Sequence, residues 1–446
     1  MTARPWHTRP MRIALLMHSL NPRGGVVHTI ELADALVQLG HDVTVIAAGR
    51  LGQALFRPTM ARLSVAPLGE LPSGLVPMVG ARMQAVAAHL RGLNLSEFDV
   101  LHSQDSITAN ALADLQAEGL IGGFLRTVHH LDAFDEPQLT AWQARGVHAA
   151  RQLLCVSGLW QGVLAREWGR SAHRVGNGVN LVRHAAHTRQ AQGEQGLHAA
   201  HDDEVLTRIG LPPGTPYWLA VGGVEARKNT ARLLHAFALM RKEVPQARLV
   251  IVGGASLLEH AQAQAEFDAV RHDHGMAPGQ ARANHLVLTG PVQDGVLPSL
   301  YRRAIALAMP SVKEGFGLVA IEAMACGTPA IVSRIAPFTE HLRPHEAFWV
   351  DPLDVRDIAA ALRQSWRLEQ HLGRDPAQRA EHVSQLRRVA SRFDWLASAR
   401  QHLALYAHGL AGSADPEPGT PAMPAPHSLQ ALPPPPTAST DHPCHA

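Results

Sequence analysis

Pro310-Ser311-Val312-Lys313-Glu314-Gly315-Phe316-Gly317-Leu318-Val319-Ala320-Ile321-Glu322-Ala323-Met324-Ala325-Cys326-Gly327-Thr328-Pro329 is the stretch on which the reading of this chain turns. The apolar run before it reads as a strand, the paired glycines as a loop, LVAIEAMA as a buried helix stopped at Gly327, and the run after Pro329 as the next strand. Gly315 and Gly317 let a ligand approach the backbone, and the unpaired N–H groups of the helix that follows favour an anion. Glu322 stands inside an otherwise apolar helical segment. A carboxylate there needs a partner, so it reads as a ligand-binding group suited to ribose hydroxyls.

Outward from this unit, short β-rich runs alternate with helical stretches in both directions. RIALLMHS (12–19), DVTVIAA (42–48), LSVAPLG (63–69), DVLHSQ (99–104), LRTVHH (125–130) and QLLCVS (152–157) form a first series. YWLAVGG (217–223), RLVIVGG (248–254), HLVLTG (285–290), AIALAMPS (304–311) and PAIVSR (329–334) form a second. Strands alternating with helices imply right-handed βαβ units on parallel sheets, and two series imply two doubly wound α/β domains. The expected boundaries are a first domain over 11–182, a linker or insertion over 183–205, a second domain over 206–394 and a C-terminal helix over 395–412 that packs back on the first domain. Residues 181–205 are rich in His, Ala, Gln and Gly without a strong period, as in a linker. Residues 413–446 are proline-rich and are expected to be disordered or polyproline-like.

Two further glycine turns fall where strands run into helices. Asn21-Pro22-Arg23-Gly24-Gly25 precedes the helical run VVHTIELADALVQL. From the residues alone, Gly24 and Gly25 either admit a phosphate to the helix N-terminus or only make a tight turn. No GxGxxG occurs there, which argues against a nicotinamide-dependent oxidoreductase. Val221-Gly222-Gly223 ends a strand, and Arg227-Lys228 is expected at the start of the following helix. That pair is either solvated or a clamp for a diphosphate, Arg by its fork and Lys as a point charge.

Taken together, these segments resemble the family 4 glycosyltransferases, which are retaining enzymes of the GT-B fold; the resemblance covers roughly residues 11–408. Its strongest motif is the glutamate pair Glu314 and Glu322, separated by seven residues, with EGFG and EAMACGTP around them. GG near the start, LGHDVTV (39–45), TVHHLDAF (127–134), VSGLW (156–160), GNGVN (176–180), VGGVEARKN (221–229), LYRRAIALAMPS (300–311) and DPLD (351–354) follow in family order.

The resemblance implies two Rossmann-like domains facing across a cleft. It implies that Glu322 binds the donor ribose, that Glu314 lies near the donor sugar, and that Lys228 binds the donor diphosphate. Phe316 and Gly317, with Gly315 and Leu318 beside them, would supply backbone contacts, and Gly24 and Gly25 would line the cleft from the first domain. His129 matches the family histidine that touches the transferred sugar, with His130 as the adjacent alternative. Where the family commonly has Arg after the VG of the first second-domain strand, this chain has Gly223, and Arg227 is the expected substitute.

No Asp-x-Asp triplet occurs in the chain, so transfer is expected to be metal-independent, with Lys228 and Arg227 neutralising the diphosphate and no other cofactor. A retaining glycosidase needs two carboxyl groups about 5 Å apart; with Glu322 committed to ribose, no such pair is evident. The expected partners are a nucleotide-sugar donor and an unidentified glycan, lipid or small-molecule acceptor. The alternatives are a sugar-nucleotide epimerase or a phosphorylase on the same fold, or a non-catalytic sugar-nucleotide-binding protein.

Composition sets the outer limits. The 446 residues are 46% hydrophobic and 17% charged, which is globular rather than disordered. Lys+Arg 40 against Asp+Glu 38 gives +2, too little for a nucleic-acid footprint. Cys155, Cys326 and Cys444 form no CxxC pair, which fits a reducing cytoplasm. No run of about 18 apolar residues exists to span a membrane. Residues 78–93, mildly amphipathic with Arg82 and Arg91, read as core packing, with peripheral membrane contact the alternative. The pairs His184/His187 and His198/His201 have zinc-like spacing but sit in low-complexity surroundings, and coincidence is the expectation.

Overall fold

The computed structural model describes residues 9–185, 194–254 and 261–411. Its first sheet is built from β1 (Arg12–Met17), β2 (Asp42–Gly49), β3 (Arg62–Pro67), β4 (Val100–Ser103), β5 (Leu125–Val128), β6 (Gln152–Cys155) and β7 (Ala172–Arg174). Its second uses β8 (Tyr217–Val221), β9 (Arg248–Val252), β10 (Leu286–Gly290), β11 (Ala306–Met309), β12 (Ala330–Ser333) and β13 (Phe348–Val350). The orders are β3-β2-β1-β4-β5-β6-β7 and β10-β9-β8-β11-β12-β13, with every neighbouring pair parallel.

Helices cover both faces of each sheet, so the central strands are buried on both sides and read as continuous apolar runs. In the first domain these are α1 (Gly24–Gln38), α2 (Leu75–Arg91), α3 (Ser106–Ala117), α4 (Pro137–Ala149) and α5 (Gly158–Trp168), followed by α6 (Leu181–Ala185) and α7 (Glu194–Arg208). The second domain adds α8 (Thr230–Met240), α9 (Ala261–Asp273), α10 (Val296–Arg303), α11 (Leu318–Ala325), α12 (Phe338–His341), α13 (Val355–Leu372) and α14 (Pro376–Ala390), and α15 (Trp395–Ala411) ends the described chain. Ile13 and Leu15 of β1 face α1, whereas Ala14 and Leu16 pack towards α2 and α3.

The linker expectation is corrected in part. Residues 194–208 are helical, and α7 runs past position 205. Its weak period is offset by docking: Asp202 receives both Nε and Nη2 of Arg302, Asp203 pairs with Arg303, and Val205 and Leu206 are buried. The strands β7 and β13, three residues each, are too short to leave a period. The proline-rich tail lies outside the described residues.

The chain crosses between the domains twice. It leaves the first domain after β7, through Gly176–Asn180, and returns between α14 and α15. The crossings touch, Val179 N donating to Phe393 O at 3.1 Å and Gly176 N to Gln401 Oε1 at 2.8 Å. On its return α15 buries Trp395, Ala399 and Tyr406 in the core shared with β1 and α1.

Within α2, Met83, Val86, Ala87 and Leu90 are buried; Arg82 Nη1 donates to His18 O, and Arg91 pairs with Glu118. Among the described residues no helix is long and apolar enough to cross a membrane.

Candidate active site

In each sheet the strand order reverses between its two central strands, β1 and β4 in one and β8 and β11 in the other. Ligands of doubly wound sheets bind beyond the carboxyl ends of such strands. Here the loops that follow all four line one cleft of ≈ 2930 Å³. Several helices are capped by their own side chains: Asp105 on α3, Ser157 on α5, Asp354 on α13 and Asp375 on α14. At α1, α8 and α11 no side-chain cap is present, so their first N–H groups are left for something else.

On the second-domain wall, Lys228 Nζ donates to Glu314 Oε1 at 2.7 Å. Arg227 lies 2.9 Å from Glu225 and 3.6 Å from Glu314. Burial lowers the Lys228 ammonium, and Glu314 only partly restores it. Burial would raise the Glu314 carboxyl, but Lys228 and Arg227 outweigh it and hold it below its ordinary range. The 2.7 Å contact thus sets a buried carboxylate against a buried amine, each favouring the charged form of the other. Arg227 and Lys228 lie in a 3-10 turn rather than at the start of a helix, and α8 begins only at Thr230. Asn229, at φ 60, bonds Pro310 O and Pro352 O and pins this turn to the glycine loop. Gly223 could not be the family's arginine here: at φ 72, an added Cβ would meet Gly254 O at 2.8 Å.

In the glycine loop, the ring of Phe316 packs against His341, centroids 4.1 Å apart, and is buried in the second-domain core. Gly315, Phe316 and Gly317 line the cleft, and among the described residues no hydrogen bond engages their N–H groups. Leu318 begins α11 and packs against cores of both domains. Glu322 lines the cleft, and Tyr301 Oη donates to its Oε2 at 3.0 Å. The partner this carboxylate required is supplied by the protein on one oxygen.

From the first domain, Gly24 and Gly25 open α1 and line the cleft. Neither has a positive φ, so a turn alone does not require them. A Cβ on Gly25 would sit 3.3 Å from His129 Cδ2. His129 stands between Gly25 and the glycine loop, with the His28 ring edge-on at 4.6 Å and Gln104 Oε1 3.1 Å from its Nε2. Burial, with His130 adding, pushes His129 down to about 3. It is neutral at physiological pH. His130 is turned towards Asp132, 3.4 Å away. His184 of the zinc-like pairs is buried, its Nδ1 on Asn180 O; His187 and the side chain of His198 lie outside the described residues. Among the described residues no cluster of three or more His, Cys, Asp or Glu side chains is placed to hold a metal ion.

The walls are tied across the cleft. Trp160 Nε1 donates to Glu314 O at 3.1 Å, Lys313 Nζ to Leu131 O at 2.7 Å, and Gly158 N and Leu159 N to Glu340. Arg57 reaches Glu31 on its own domain and Asp294 on the other, both at 2.5 Å. Sequence reasoning missed Glu225, Asn229, Tyr301, Trp160 and Gln104. Glu225, Asn229 and Tyr301 fall inside segments singled out for their neighbours, so proximity to a motif was a usable signal. Trp160 and Gln104 close the segments VSGLW and DVLHSQ, but nothing local marked their contacts, because their partners lie 154 and 25 residues away.

Two Rossmann-like sheets facing one another across a cleft whose floor is formed by strand ends and unpaired helix N-termini define a GT-B enzyme. Residues 22–183 match the family model described as Glycosyltransferase Family 4, and residues 202–382 match Glycosyl transferases group 1. The chain belongs to this family of glycosyltransferases. It is 27% identical over 446 aligned residues to a D-inositol 3-phosphate glycosyltransferase of Streptomyces bingchenggensis, covering 91% of this chain and 90% of that protein. It is 26% identical over 422 residues to a phosphatidyl-myo-inositol mannosyltransferase of Mycobacterium tuberculosis, covering 89% and 96%. Among solved structures it shares the fold of Anabaena Alr3699/HepE in complex with UDP-glucose (TM-score 0.67, 17% identity, 89% of this chain and 100% of that one). It likewise shares that of sucrose-phosphate synthase from Thermosynechococcus elongatus (TM-score 0.67, 21% identity, 90% and 100%).

Proposed function

We propose that this glycosyltransferase takes a sugar from a nucleotide diphosphate-sugar and delivers it to an acceptor hydroxyl with retention of configuration and without a divalent metal. The observation that carries the reading is convergence. Lys228, Arg227 and the open N–H groups of Gly315 to Gly317 meet at the carboxyl ends of β8 and β11, opposite His129. Two cations and a helix N-terminus suit a diphosphate, and they act on the charge that grows as it leaves. Glu322, fixed by Tyr301 through one oxygen, has the other for the ribose. His129, neutral, faces the sugar.

The C1–O bond to the diphosphate breaks with its electron pair going to the phosphate oxygen. The acceptor oxygen bonds C1 on the same face, and its proton passes to the departing phosphate. Relatives named for D-inositol 3-phosphate and phosphatidyl-myo-inositol put those two compounds first in an acceptor panel, and the UDP-glucose complex of HepE puts UDP-sugars first among donors.

Calorimetry with UDP, GDP, ADP and dTDP, chelator present, tests the donor site. One nucleotide is expected to bind, and Glu322→Ala is expected to lose about 1–3 kcal/mol of that binding. If none binds to folded protein, the donor reading fails. Trapping a sugar covalently on Glu314 would replace the same-face route by a double displacement.

A further inference from the structure

Resting on the reading of His129 as the sugar-facing group, we propose that Gln104 is a positioning residue that sets the tautomer of His129. It holds the proton on Nε2 and leaves Nδ1 as a bare acceptor for a hydroxyl of the transferred sugar. Gln104 follows β4, is 3% exposed and extends the sheet pattern by donating its backbone N–H to Leu16 O at 2.9 Å. Its side chain lies between two imidazoles. Oε1 is 3.1 Å from His129 Nε2, and the amide nitrogen is 3.4 Å from each nitrogen of His102. His102 is already engaged, Nδ1 with Tyr406 Oη and Nε2 with Thr127 Oγ1, each at 2.8 Å.

A neutral imidazole carries one N–H, and the nitrogen that bears it is chosen by its partners. An amide oxygen only accepts, so with Oε1 on Nε2 the proton stays there. Among the described residues nothing bonds to Nδ1, and His129 lines the cleft. The ring has little room to turn, with His28 edge-on at 4.6 Å and Gly25 against Cδ2. The groups facing it are His28 from α1, His102 and Asp105 around the end of β4, Arg126 from β5, His130 beside it and His402 from α15. Asp105 is the sole carboxylate among these, and burial with the surrounding histidines outweighs it, so His129 remains neutral.

The test is nitrogen-15 NMR of histidine-labelled full-length protein, with the His129 signals assigned by their loss in His129→Ala. At pH 7.5 the wild type is expected to show Nε2 protonated and Nδ1 bare, and Gln104→Leu a mixture of tautomers. Gln104→Glu keeps an acceptor on Nε2 and so restores the tautomer, but its charge raises the His129 pKa by one pH unit or more. Release of nucleoside diphosphate from UDP-glucose, UDP-N-acetylglucosamine or GDP-mannose supplies a second readout. In Gln104→Leu kcat is expected to fall about tenfold, the factor of one hydrogen bond, at unchanged KM for the donor. In Gln104→Glu the acid limb of the pH profile moves upward. A wild-type ring protonated on Nδ1, or one whose tautomer is the same in Gln104→Leu, overturns the proposal. If instead His129→Ala turns over donor like the wild type, the role of His129 fails while the tautomer result stands.

Discussion

Lys228 and Glu314, 2.7 Å apart at the carboxyl ends of two neighbouring strands, are each other's counter-ions. A diphosphate arriving at Lys228 would bring a second counter-ion to the same ammonium. Removing the charge of Glu314 leaves the buried ammonium uncompensated, which costs about 3 kcal/mol. Glu314→Gln is therefore expected to unfold at lower denaturant concentration than the wild type. The nucleoside diphosphate that binds should raise its melting temperature more than the wild type's, because phosphate now supplies the missing charge. Equal shifts in the two proteins would mean that phosphate does not reach Lys228.

Tyr301 is fully buried, and its hydroxyl donates a hydrogen bond to Glu322. Burial, followed by the glutamate's charge, drives its own ionisation well above the ordinary range, so it remains a donor at any workable pH. Tyr301→Phe keeps the ring and removes the bond. About 1 kcal/mol of stability and a several-fold loss of nucleotide affinity are expected, read by thermal unfolding and calorimetry. Unaltered affinity would mean that Glu322 needs no fixing to hold its ligand.

Gly315 faces the His129 carbonyl across the cleft so closely that a Cβ would collide with backbone. Gly315→Ala should hold the domains apart. The expected result is a fall in kcat of about 100-fold, the scale of a misplacement near 1 Å, with nucleotide binding to the second domain retained. Full activity in this variant would show that the observed approach of the two loops is not the reacting geometry.

Four histidines, His28, His102, His129 and His402, share the interior beside β1, β4, β5 and α15, with rings of His28 and His402 5.9 Å apart. Burial pushes His402 down to about 4 and His129 to about 3, and lowers His28 and His102 well below 6.5. The unfolded chain takes up protons near 6.5 while the folded one does not. Stability is therefore complete above that pH and is lost as pH falls from 6.5 towards 4, at up to about 1.4 kcal/mol per pH unit for each histidine. Urea unfolding at pH 7.5, 6.0 and 5.0 should show this slope, and His402→Leu should flatten it. A pH-independent midpoint would sink the argument.

Much of this was legible beforehand because buried parallel strands leave continuous apolar runs and cleft loops leave glycines. Gly315, Glu322 and Lys228 were visible as residue types out of keeping with their surroundings. What was not visible depends on distance along the chain. The histidine Gly25 packs against is 104 residues on, the bond from Trp160 to Glu314 spans 154, and that from Arg57 to Asp294 spans 237. The helix α7 hid for another reason: its anchors, Arg302 and Arg303, belong to α10 and not to its own pattern.

The two crossings between the domains, hydrogen-bonded to each other at Val179 and Phe393, act together as the spine of a book. A page held by one stitch can swivel and slide; a page held along a spine only swings. Were the domains to turn about that spine, His129 would keep its bearing on the loop of Lys228 and Glu314. The register of the two walls is thus set by the binding of the volume, and the facing pages are left free to carry different text.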